Sequence, residues 1–105
     1  MDIFFLLLFG HALGDYALQT EYMCTNKNPK NNPENWYFVL IAHSVIHGGL
    51  VGFFTGSLVL ALAETVAHFL IDLGKMKGKF GFRTDELLHI GAKGLWVILM
   101  TQGLA

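Results

Sequence analysis

Histidine and carboxylate side chains recur four residues apart in each of four apolar segments of this chain: His11 and Asp15, His43 and His47, Glu64 with His68 and Asp72, and Asp85 with His89. Four residues is little more than one helical turn, so each set projects from one face of its helix. The sets use all five histidines. With eight acidic residues and five histidines in 105 positions, a given histidine finds such a partner roughly one time in four, and four independent occurrences have odds on the order of one in a few hundred. Chance is a poor explanation. Helix-borne imidazoles and carboxylates that converge inside an apolar bundle are how proteins build buried metal centres.

Mixed nitrogen and oxygen donors without thiolates suit a divalent ion, zinc first, with iron or manganese as alternatives. The candidate metal ligands are His11, Asp15, His43, His47, His68, Asp72, Asp85 and His89, which is more than one tetrahedral ion needs. Either two ions sit here or some of these residues orient the ligands through their imidazole N–H groups. Two ions about 3.5–4 Å apart would be the usual hydrolytic arrangement. Glu64 is the candidate catalytic residue, as a general base, with the aspartates as alternatives.

The elements that must carry these residues follow from composition. A chain of 105 residues is one domain, long enough for four helices of about 20 residues. Hydrophobic residues make up 53% and charged residues 14%, against roughly 25% charged in soluble domains. The mean hydropathy is +0.48. A membrane protein is the leading class, and a compact soluble bundle is the alternative because polar residues interrupt every apolar run. The net charge of -1 gives no reason to expect a nucleic-acid partner. Cys24 is alone, so there is neither a disulfide framework nor a paired-thiolate zinc pattern. Asp2 precedes the run IFFLLLFGHALG, which lacks the basic start of a secretory signal and reads as a retained helix.

The expected fold is all-α: a single-domain four-helix transmembrane bundle, up-down-up-down, with helices over about 3–23, 36–54, 58–75 and 85–104. Asp2 and Thr84 are the expected caps of the first and last helices. Pro29 and Pro33 mark a polar loop, and Thr55-Gly56-Ser57 a tight turn that folds the middle helices into a hairpin. Each helix is roughly 30 Å long, enough to cross a hydrocarbon core. Lys27 and Lys30 lie in the first long loop, and Lys75, Lys77, Lys79 and Arg83 in or beside the second. The positive-inside rule then places loops 24–35 and 76–84 in the cytoplasm of a bacterial cell, with the chain multi-pass in the inner membrane. Gly48, Gly52 and Gly56, and Gly10 with Gly14, recur every four residues and allow close helix contact.

This topology sorts the polar residues by depth. Asp15, His43, Asp72 and Asp85 fall nearest the cytoplasm; His11, His47, His68 and His89 lie one turn deeper; Glu64 and Lys93 come deeper still as an ion pair. Charges at such depth face the bundle interior and pair or bind something. The bland alternatives are a hydrogen-bonded polar network without metal, Asp85 as a helix-terminal acid, Asp72 paired with Lys75, and Glu21, Glu34 and Glu86 on solvated faces.

The ordered motifs HALGDYALQ, HSVIH, ETVAHFLIDLGK and DELLH resemble those of the domain-of-unknown-function 3307 family of small bacterial and phage integral membrane proteins, over nearly the whole chain. The resemblance implies four membrane helices and these polar positions, but no activity. Glu86 stands where a Gln is expected. More loosely, the chain is similar to membrane-bound metal-dependent hydrolases that carry His/Asp motifs on helices.

Three functions compete on these residues. The first is a metal-dependent hydrolase embedded in the lipid bilayer, with Lys75, Lys77, Lys79 and Arg83 drawing in an anionic headgroup or phosphoester. The second is a metal-ion or proton transport protein. The dry outer segments IFFLLLF, LVGFF and LWVILM argue against a continuous path in one protomer, though a homo-oligomer would relieve that. The third is a membrane effector with a purely structural polar core.

Overall fold

The computed structural model describes residues 2–104. Asp2 accepts a hydrogen bond from the Phe4 backbone N–H at 2.8 Å and so caps α1, Ile3–Ala12. The chain then widens into a π-helical turn, Leu13–Ala17, closed by a bond from the Leu18 N–H to the Leu13 carbonyl. Gln19 Nε2 donates to the Asp15 carbonyl at 3.0 Å, satisfying an acceptor at the end of that turn. A single helix to Met23 is therefore not formed. The π turn ends the first helical stretch, and Thr20 starts a separate short helix, α2 (Glu21–Asn26), by accepting from the Met23 N–H.

α3, Trp36–Thr55, stops at Gly56, whose φ of 70° is the left-handed conformation that glycine adopts without strain. Ser57 Oγ then caps α4, Leu58–Met76, by accepting from the Leu60 N–H. The result is the expected antiparallel hairpin. Its backbones come close because a Cβ on Gly48 would overlap Thr65 Oγ1, and one on Gly52 would sit 2.9 Å from Ala61 Cβ. α5 spans Phe82–Thr101. It begins at Gly81 rather than at Thr84, which lies within the helix, and Asp85 still falls in its first turn.

α1 packs on α3 and α5, and α4 packs on the same two helices, so four walls surround one axis. The described residues are helical or irregular, with no strand. At the end nearest the 55–57 turn the interior is apolar, formed by Leu7, Val51, Leu60 and Trp96 with Ile3, Phe54 and Met100 packed on them.

The rest of the interior is inverted. Among the described residues five buried side chains are apolar and eleven are polar or charged, while Phe5, Phe53, Leu58, Leu62, Val66 and Leu87 are more than half exposed. One described helix, Trp36–Thr55, is long and apolar enough to cross a membrane. α4 is interrupted by Glu64, Asp72 and Lys75, and α5 by Arg83, Asp85, Glu86 and Lys93; the first apolar stretch ends at Ala17. Four spans, each apolar along its length, are therefore not what these helices present.

Candidate metal centre

The eight candidate ligands and Glu64 meet inside the bundle, brought there from four walls. α1 and its π turn supply His11 and Asp15, α3 supplies His43 and His47, α4 supplies Glu64, His68 and Asp72, and α5 supplies Asp85 and His89. All are buried except Asp15, which is partly exposed.

The largest set is Asp15, His43, His47 and His68, whose donor atoms lie within 4.8 Å of one another. Asp15 Oδ1 is 2.9 Å from His47 Nε2 and 3.3 Å from His43 Nε2, and His43 Nε2 is 3.2 Å from His68 Nε2. Four donors about 2.0–2.1 Å from a tetrahedral ion stand roughly 3.3 Å apart. These separations are thus already those of a ligand sphere.

The tautomer of His68 fits the same purpose. Its Nδ1 lies 3.1 Å from Glu64 Oε2, so an N–H donated there leaves the Nε2 lone pair facing His43 and Asp72. The other Glu64 oxygen accepts from Lys93 Nζ and from Trp96 Nε1, both at 2.8 Å. Fully buried and with both oxygens engaged, Glu64 is placed to orient His68 rather than to meet a substrate as a general base.

A second set is Asp72, Asp85 and His89: His89 Nε2 is 3.1 Å from Asp72 Oδ1 and 3.5 Å from Asp85 Oδ1. The remaining oxygens of this pair face lysines, Asp72 Oδ2 at 2.9 Å from Lys27 Nζ and Asp85 Oδ2 at 3.6 Å from Lys75 Nζ. Asp72 therefore pairs with the first loop and not with Lys75. His11 Nε2 closes the cluster, 3.2 Å from Asp15 Oδ2 and 3.3 Å from Glu86 Oε2.

The contacts layer these groups along the bundle. His11, His47, His68 and His89 form a closed ring of imidazoles, with neighbouring centroids 5.3, 3.7, 4.3 and 5.0 Å apart in turn. The Glu64–Lys93 pair lies on one side of that ring, and the aspartates with His43 lie on the other. Asp15, Glu64, Asp72, Asp85 and Glu86 are five carboxylates, met by the three ammonium groups of Lys27, Lys75 and Lys93. With neutral imidazoles two negative charges are left over, the amount one divalent ion neutralises. These buried groups could hold a metal ion.

Three participants escape the four-residue spacing. Glu86, expected on a solvated face, reaches His11. Lys27, read as an orientation signal, is buried against Asp72. Trp96 had a usable signal, since it follows His89 by seven residues and Lys93 by three, on one helix face. A cleft of about 150 Å³ opens at the end away from the apolar plug, lined by Asp15, Tyr16, Gln19, Lys27, Asp72, Lys75, Phe82 and Glu86.

Gly14 shapes this four-residue set from behind. A Cβ there would lie 2.6 Å from His47 Cε1 and 2.7 Å from its Nε2. Gly14→Ala should push the His47 ring off its position and weaken zinc binding about 10–100-fold, as displacing a ligand's support does. Zinc titration with circular dichroism as a folding control measures this; unchanged affinity would mean that the ring can shift freely.

Residues 3–102 match the family described as protein of unknown function (DUF3307). No curated protein and no solved structure matches the chain.

Proposed function

We propose that this chain, which belongs to the DUF3307 family of proteins of unknown function, is a membrane-embedded metalloprotein that performs hydrolysis at one end of a four-span, up-down-up-down bundle. The observation that carries the reading is the convergence of Asp15, His43, His47 and His68 at ligand-sphere distances, with His68 oriented by a buried carboxylate. Zinc suits three imidazoles and one carboxylate best, ahead of iron and manganese.

The inverted interior supports the bilayer. Water penalises exposed apolar faces and buried charges, whereas lipid rewards that same arrangement. On α4 the exposed residues Leu58, Leu62, Val66 and Leu70 run along one side, while Glu64, His68 and Asp72 occupy the other. The charges that interrupt α4 and α5 include the buried members of the cluster, which lipid would not meet. Only a third of the most apolar part of α3 is buried, unlike a soluble core helix. Lys27, Lys30, Lys75, Lys77, Lys79 and Arg83 share the cleft end, which the positive-inside rule assigns to the cytoplasm.

Access favours catalysis over transport. The cleft reaches Asp15 and Asp72 from one end, and the plug of Leu7, Val51, Leu60 and Trp96 closes the other. Bound there, a divalent ion would supply Lewis acidity and an activated water. Lys27 and Lys75 at the cleft would hold an anionic group, a headgroup or phosphoester, beside it. Glu64 would keep His68 in its tautomer, and the apolar plug would keep bulk water from the far side.

The test is to wash membranes from producing cells with alkaline carbonate, solubilise them in detergent without chelator or histidine tag, and count metal by mass spectrometry. Protein in the pellet with at least one equivalent of a divalent metal is expected. Protein released by the wash would remove the membrane half of the reading. Pellet protein that stays metal-free after zinc dialysis would remove the metal half.

A further inference from the structure

We infer that the cluster holds a second divalent ion, bound by Asp72, Asp85 and His89, with Asp72 shared as a bridging carboxylate between the two ions. The inference rests on the first ion being held by Asp15, His43, His47 and His68. Asp72 divides its oxygens between the two sets. Its Oδ2 is 3.4 Å from His68 Nε2 and 3.5 Å from His43 Nε2, whereas its Oδ1 is 3.1 Å from His89 Nε2. A carboxylate whose two oxygens face two donor sets is how neighbouring ions come to be linked.

The second observation is independent of Asp72. Asp85 is 2% exposed, and its Oδ1 is buried with no hydrogen-bond partner. Leaving such an acceptor unsatisfied in a buried site is costly. Lys75 faces the other oxygen of Asp85, and Lys27 Nζ shares Asp72 Oδ2 with the first set, at 2.9 Å. The two Oδ1 atoms are left turned toward His89 Nε2, and the three residues offer donors within 4.8 Å of one another. Two carboxylate oxygens and one imidazole leave open positions for water or a substrate oxygen. The grouping of His11, Asp15 and Glu86 is weaker, because the Glu86 side chain is 30% exposed.

Charge then points to the substrate class. One divalent ion cancels the two uncompensated carboxylates of the cluster; a second leaves it positive by two. An anion is the natural complement, and the cleft reaches the shared Asp72. The number of bound ions is directly countable.

Zinc stoichiometry by equilibrium dialysis on the full chain in detergent, for wild type, Asp85→Asn and His47→Ala, separates the outcomes. Asp85→Asn keeps the side-chain shape, and Lys75, a third exposed, can turn to solvent. The expected result is two equivalents in the wild type and one in each variant, all with wild-type helicity. One equivalent in the wild type, lost in His47→Ala, would overturn the second site and leave the first standing. Two equivalents retained by Asp85→Asn, or both lost from it while folded, would also overturn the assignment. No zinc in the wild type would overturn both. Manganese-loaded wild type should further give an exchange-coupled paramagnetic spectrum; two uncoupled ions would exclude a shared Asp72.

Discussion

The His47→Ala protein should fold and hold one metal ion fewer than the wild type. His47 contributes a ring stacked on His68 at 3.7 Å and a nitrogen 2.9 Å from Asp15. Its removal leaves Asp15, His43 and His68, and with them an incomplete tetrahedron. Losing a supporting residue around a metal costs about 10–100-fold in affinity, and losing a ligand costs more. The remaining contacts of the cluster are untouched: Glu64 keeps Lys93 and Trp96, and Asp72 keeps His89 and Lys27. The variant should therefore separate metal loss from unfolding. Zinc dialysis beside circular dichroism reads both, and wild-type affinity in His47→Ala would mean that the ion is not held by this imidazole.

Lys93→Met should be the most destabilising change in the bundle that touches no candidate ligand. Lys93 is buried, and its ammonium sits 2.8 Å from the Glu64 carboxylate. Removing it strands a buried negative charge on two neutral donors, a loss of about 3–5 kcal/mol for a pair of this kind. Methionine fills nearly the same volume, so packing contributes little to that figure. The double variant Glu64→Gln with Lys93→Met removes both charges and should recover most of the stability. Thermal denaturation in detergent measures the three proteins. Equal stability of the single and double variants would show that a stranded Glu64 charge is not the source of the loss.

The candidate site was legible because its spacing is local. His11 to Asp15, Glu64 to His68, His68 to Asp72, and Asp85 to His89 are each steps of little more than one turn, and helical geometry brings them to one face whatever the neighbours do. The hairpin turn at Gly56 was equally local. Long-range contacts left no such mark. Lys27 meets Asp72 across 45 positions and Glu86 meets His11 across 75, and each contact depends on how the helices pack. The π turn at 13–17 was hidden for another reason. A widened turn changes the backbone by one residue without a characteristic residue pattern, and its advantage here is tertiary, since it sets Gly14 and Asp15 against His47. Apolarity averaged along α4 or α5 likewise mixes an outer face with an inner one, so it understates how apolar the outer face is.

Lys27 also bears on time. Its ammonium comes from the polar loop between α2 and α3, yet it sits buried on Asp72 beside the cleft that reaches the cluster. A cation travelling between solution and the aspartates would meet a like charge at that doorway. Affinity and rate are then set by different residues. For an ion bound here, the imidazoles and carboxylates would set how firmly it is held, and one loop lysine would set the barrier to its uptake and release.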